Sequence, residues 1–197
     1  MRDPMVLAVS SLILAGAASF VFAAPPTVEA VNRLAGIQNV ATPVDYAAVT
    51  VFSCASIVLI ITWRGGAVAE RRSIRTYVAG YAAVIATLII LFALGDAPVE
   101  RLRDFDTYYA NTPYVRKMIA LYLVGHMVAA AILCTMCRKR ASEVRGRLRA
   151  GLVVLLAGFT LNWLFVCVKL TGVAARLLRA LSTPPFPRQA PAPESSH

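Results

Sequence analysis

The sequence predicts an all-α protein: a polytopic transmembrane bundle of about five membrane-spanning helices, with the N-terminus cytoplasmic. Three observations carry this. Five long apolar runs lie near residues 5–24, 44–63, 77–94, 118–137 and 152–168. Apart from outermost turns such as the one holding Asp45, these runs contain no Asp, Glu, Lys or Arg, and all 11 prolines fall outside them. The connecting segments alternate between strongly basic and neutral, as they do in a chain threaded back and forth through a bilayer.

Each run approaches the ~20 residues that a helix rising ~1.5 Å per residue needs to cross a hydrocarbon core. In lipid, every backbone polar group has to be satisfied within its own segment, so uninterrupted runs read as helices. Composition agrees. With 58% hydrophobic and 15% charged residues and a mean hydropathy of +0.67, the 197-residue chain lacks the polar surface of a water-soluble domain. The first run also has features of a secretory signal, with Arg2 ahead of it and Val21-Phe22-Ala23 before Ala24. It is longer than the usual signal core of about 7–15 residues, so a retained helix is expected.

Orientation follows from the basic loops. Residues 64–75 and 138–149 hold ten basic residues against Glu70 and Glu143, most of the formal charge of +10. Short Lys/Arg-rich loops stay in the cytoplasm, where anionic headgroups of the lipid bilayer are their expected partners. Loop 25–43 balances Glu29 against Arg33 and is assigned outside. Lys169, Arg176, Arg179 and Arg188 pull the other way, but the two loops carry more charge and agree with each other. No interleaved aromatic platform accompanies the basic residues, so nucleic acid is not an expected partner.

Between the third and fourth runs lies an island of charge and tyrosine, Gly95–Lys117, GDAPVERLRDFDTYYANTPYVRK. Asp96, Glu100 and Asp104 are spaced i, i+4, i+8, which predicts one face of a short surface helix. Arg103 and Arg101 stand three residues from Glu100 and Asp104, the spacing of helical ion pairs. Tyr108, Tyr109 and Tyr114 are expected to anchor the segment at the membrane interface. Asp96, Glu100, Asp104 and Asp106 form a candidate outer-loop site, although no EF-hand spacing is present. After Lys169, TGVAARLLRALS predicts one or two more helical turns. The bundle is thus expected over 1–181, with residues 182–197 a proline-rich disordered tail.

Chemistry-bearing residues are few. His126 sits near the middle of the fourth run, and an ionisable residue at that depth is a functional candidate. The plainer reading is a neutral imidazole bonded to a neighbouring helix, for instance through Asn162 in the fifth run. His126 and Asn162 are the candidate intramembrane polar site. Cys134-Thr135-Met136-Cys137 spells C-x-x-C without a second ligand pair, so Cys54, Cys134, Cys137 and Cys167 read as packing residues. Ser11/Ala15/Ser19, Ala79/Ala83 and Gly125/Ala129 are small residues at a spacing that permits close helix approach. Leu94-Gly95-Asp96 only brushes against the Gly-x-Gly-Asp signature of intramembrane aspartyl proteases, with Ala93 in place of the first glycine. No G-x-S-x-G, H-E-x-x-H or phosphate-binding loop is found. No catalytic, cofactor-binding or metal residues are assigned, and no enzyme is expected.

Three stretches carry a resemblance: LFALGDAPVERLRDFDTYYANTPYVRKMIALYL; VNRLAGIQNVATPVDYAAV followed by ITWRGG; and VRGRLRAGLVVLLAGFTLNWLF. Over roughly residues 1–182 the chain resembles a family of multi-pass membrane proteins from GC-rich, actinobacterial-type bacteria. Its members are labelled transporters, and some regulator components. The resemblance implies a bacterial cell-membrane location and a transporter-like role. It assigns no functional residues. Family members begin with a further helix and continue into further helices and a cytoplasmic domain, so this chain is expected to correspond to their central portion. The alternative is a non-catalytic membrane component that anchors or regulates a membrane or cytoplasmic protein partner.

Overall fold

The structure, a computed structural model, describes residues 4–62, 69–102 and 104–182. Seven helices follow in order among the described residues: α1 (Pro4–Phe22), α2 (Pro25–Ala35), α3 (Ala41–Thr62), α4 (Ala69–Ala93), α5 (Phe105–Tyr108), α6 (Pro113–Glu143) and α7 (Arg147–Ser182). Among the described residues there is no strand. Pro25 and Pro113 open α2 and α6, where a missing N–H leaves no intrahelical bond unmade.

Among the described residues, four helices are each long and apolar enough to cross a membrane, and the bent pair α1–α2 adds a fifth if counted as one span. The first apolar run therefore does not continue straight to residue 24. The chain turns by 90° after Phe22 into α2. Ala24 is extended (φ −77°, ψ 124°), the conformation that a following proline favours. Segment 25–43, expected as an outer loop, thus holds a helix, and α3 starts three residues ahead of its apolar run.

The island departs further from expectation. Residues 95–102 and 104 are irregular, and helix returns in the single turn of α5. Pro98 removes one backbone donor and disfavours helical geometry at Ala97. Neighbouring backbone groups are committed elsewhere. Asn39 Nδ2 donates to Ala97 O (3.0 Å) and Val99 O (2.9 Å), and Asn39 Oδ1 accepts from Arg101 N (2.8 Å). The expected helical face of Asp96, Glu100 and Asp104 does not form. At the other end of the chain, α7 runs through Lys169 to Ser182, further than the one or two turns expected. Apart from Ser182, the proline-rich tail lies outside the described residues, as does Arg103.

α3 is the central helix. It packs on α1, α4 and α6, while α7 packs mainly on α6. The apolar window of α3 is 44% buried, against 6% for α4 at the rim. Its hydroxyls are satisfied within the helix: Thr50 donates to Tyr46 O (2.6 Å), Ser53 to Val49 O (3.0 Å) and Ser56 to Phe52 O (2.8 Å). Such back-bonding lets a polar side chain sit in an apolar surround.

Two apolar clusters form the interior. One, at the island end, is built on Tyr46, Leu88, Val115, Met118, Ile119 and Leu123. The other, at the basic end, is built on Ile57, Ile60, Leu133, Cys137 and Leu152. The outside of the bundle is also apolar, with Val154 and Val168 each 71% exposed and Leu161 68%. Large apolar side chains on the exterior are what hydrocarbon, rather than water, requires of a surface.

Candidate functional site

His126 lies in the middle of α6, facing α3 and α7. Asn162 on α7 places Nδ2 2.8 Å from His126 Nε2, and Ser53 Oγ on α3 is 3.4 Å from His126 Nδ1. The surrounding bonds suit one tautomer of the ring. The Ser53 hydroxyl donates to Val49 O, so toward Nδ1 it can only accept. Nδ1 then carries the ring proton, Nε2 is bare, and the Asn162 amide donates to it. The imidazole is neutral in this arrangement and ties three helices together.

These side chains form the polar wall of a cavity of about 410 Å³ bounded by α1, α3, α6 and α7. The rest of the lining is apolar, including Phe20, Phe52, Leu155 and Phe159. Ser19 adds a hydroxyl that donates to Gly16 O (2.9 Å). α1 and α7 flank the cavity without packing substantially on each other, and Phe20 and Val154 on its rim are 83% and 71% exposed. The cavity therefore opens sideways, toward the lipid face.

A column of rings runs from this pocket to the island. Tyr122 stacks at 5.9 Å and 13° on His126, and Tyr46 stacks at 3.8 Å and 1° on Tyr122. The Tyr46 hydroxyl donates to the Asp106 carboxylate, whose second oxygen takes Lys169 Nζ of α7 at 2.7 Å. Asp45, one residue before Tyr46, buries its Oδ1 with no hydrogen-bond partner among the described residues.

The four island carboxylates go separate ways. Asp96 is exposed. Glu100 accepts from Asn32 Nδ2 (2.7 Å), and Asp104 lies 3.7 Å from Arg101. Only Asp106 turns inward, with its side chain 17% exposed. Among the described residues, no three His, Cys, Asp or Glu side chains come together as a metal site. Tyr108 and Tyr114 are half-exposed, as interface anchors should be, and Arg101 lies over the Tyr108 ring at 3.7 Å. Tyr109 is different. It is buried, and its hydroxyl accepts from Val99 N (2.9 Å) and donates to Val99 O (2.8 Å), pinning the irregular segment.

Sequence reasoning singled out His126 and Asn162 but missed Ser53 and the pocket. The one available signal was the cluster of hydroxyls at Thr50, Ser53 and Ser56 in an otherwise apolar run. The C-x-x-C cysteines diverge: Cys137 is buried in the basic-end cluster, and Cys134 Sγ lies 3.6 Å from Thr160 Oγ1 on α7.

Comparison with models of known families, with curated proteins and with solved structures gives no match. Fold and site together define a class: an α-helical protein with several helices long and apolar enough to span a membrane, and a largely apolar pocket with one polar wall midway along them.

Proposed function

We propose that this chain is a component of a bacterial plasma-membrane transport system that takes up a small lipid-soluble molecule in the pocket beside His126 and Asn162. The single observation that carries the reading is a cavity of about 410 Å³, within the usual ligand-site range, with convergent polar groups in an otherwise apolar lining. The transporter label of the resembling family supports the same reading. The basic ends of α4, α6 and α7 face the cytoplasm and its anionic headgroups, and the island faces outward.

A second reading is favoured by the ties at the island end. Asn39, Tyr109 and the Asp106–Lys169 pair hold that end shut, which suits a membrane component that keeps its ligand and passes the signal to a protein partner.

Proteoliposomes distinguish the two. A fluorescent medium-chain alcohol is loaded into the inner leaflet, and its arrival outside is read by quenching with an impermeant reductant. Transfer that depends on the protein and falls in Asn162→Leu supports transport. Binding without transfer removes that reading in favour of the second.

A further inference from the structure

We infer that the pocket selects a neutral, lipid-soluble alcohol: a molecule with an apolar body and one hydroxyl, held by Asn162. This rests on the pocket being a ligand site, as proposed above, and adds the chemistry of its occupant.

The inference follows from which hydrogen-bonding positions remain open. Ser19 and Ser53 commit their protons to Gly16 O and Val49 O. They can therefore accept but not donate. His126 is occupied at both nitrogens, by Asn162 Nδ2 and Ser53 Oγ. Asn162 lines the cavity and spends one N–H on His126. Among the described residues, its carbonyl oxygen and second N–H have no partner in the protein. One free acceptor beside one free donor matches a hydroxyl, which needs to donate once and accept once. An ether or ketone would leave the carbonyl of Asn162 unpaired, and a hydrocarbon would leave both positions unpaired, a penalty that grows in an apolar surround.

Charge narrows the class further. Among the described residues, no Asp, Glu, Lys or Arg lines the cavity. A carboxylate or ammonium would enter without a counter-charge, and burying an unpaired ion is far more costly than burying a hydroxyl. The apolar lining and the sideways opening between α1 and α7 fit a molecule that arrives through the bilayer. The His126 contact also explains why Asn162 can discriminate, since it holds the amide in a single orientation.

The test uses the full chain in lipid nanodiscs and decanol carrying a mid-chain diazirine. Light should attach the probe to pocket residues such as Phe52, Leu155 and Phe159. Unlabelled decanol should compete at about tenfold lower concentration than decyl methyl ether, as loss of one paired donor implies, and decanoic acid, at an alkaline pH that keeps it ionised, should compete worst. Asn162→Leu should lower decanol labelling about tenfold and raise labelling by a diazirine-bearing decane, which no longer leaves the amide unpaired. The competition series needs only the unaltered protein, so a variant that fails to fold does not remove the test. Equal competition by decane and decanol, or strongest competition by the acid, overturns the inference. Absence of any label in the pocket overturns both it and the pocket reading. Selective labelling without transfer across proteoliposomes supports the inference and removes only the transport role.

Discussion

Lys169 Nζ on α7 lies 2.7 Å from the Asp106 carboxylate, which also receives the hydroxyl of Tyr46 from α3. A residue of the island thereby joins α3 and α7 through two side chains more than a hundred positions apart in the chain. The two bonds differ in value. Lys169 is 45% exposed, so its ion pair is screened and contributes under about 1 kcal/mol. Tyr46 is only 5% exposed, and stripping its hydroxyl of an acceptor costs about 1–3 kcal/mol.

Asp106→Ala should therefore lower the thermal midpoint in detergent clearly more than Lys169→Met. Adding Tyr46→Phe to Asp106→Ala should restore part of the loss, because no donor is then left unpaired. Equal midpoints for the two single variants would refute this ranking.

Asn39 is the strongest candidate for a keystone of the island end. It is fully buried, sits in the left-handed region at φ 60°, and bonds three backbone groups of residues 97–101. Asn39→Ala should destabilise by about 3 kcal/mol from these bonds. The backbone conformation adds about 1 kcal/mol for a side chain with Cβ, so Asn39→Gly should be milder by roughly that amount. Thermal unfolding of the three proteins checks the order; a glycine variant no more stable than the alanine variant would count against the backbone contribution.

Gly95 is set by close approach. A Cβ there would lie 2.7 Å from Val115 Cγ2 and 3.1 Å from Leu91 O. Gly95→Ala should cost about 1–3 kcal/mol by overpacking, and Val115→Ala in the same chain should return part of it. A double variant less stable than either single one would show that the carbonyl contact, not the valine, sets the limit.

Threading is checked with single cysteines in a background lacking the four native ones. Asp96 and Arg147 are both exposed and lie at opposite ends of the bundle. In intact cells an impermeant maleimide should label Asp96→Cys at once and Arg147→Cys only after permeabilisation. The reverse pattern would invert the orientation.

Loss of the His126–Asn162 bond should hardly alter stability. Hydrogen bonds between membrane helices average ~0.6 kcal/mol, so Asn162→Leu should shift the midpoint little. A large shift would make the pair a structural clamp first and a ligand-holding group second.

What the sequence revealed and what it hid divide along physical lines. Hydropathy is additive along a chain, so the apolar runs were legible. A lone histidine inside one of them had to find a polar partner, and few were available, so its contact with Asn162 was legible too. Asn39 gave no such sign. In IQNVATP it reads as an ordinary turn residue, and its partners are backbone groups about sixty positions away. The island's charge spacing suggested a helix because spacing cannot register that Pro98 and the claims on Ala97, Val99 and Arg101 remove the bonds a helix would use. Tyr109 looked like its neighbours Tyr108 and Tyr114, and only packing separates a buried tie from an interface anchor. Gly95 drew notice through a protease-like tripeptide, whereas its role is to let Val115 approach.

The gap between α1 and α7 sets what concentration the pocket experiences. A molecule reaching Asn162 through that opening is drawn from the hydrocarbon phase, so occupancy follows its mole fraction in lipid rather than its level in the surrounding water. Two alcohols with identical fit would then differ in apparent potency by the ratio of their oil–water partition coefficients. Diluting the protein with extra lipid at constant total ligand would empty the site, even though no aqueous concentration had been deliberately changed.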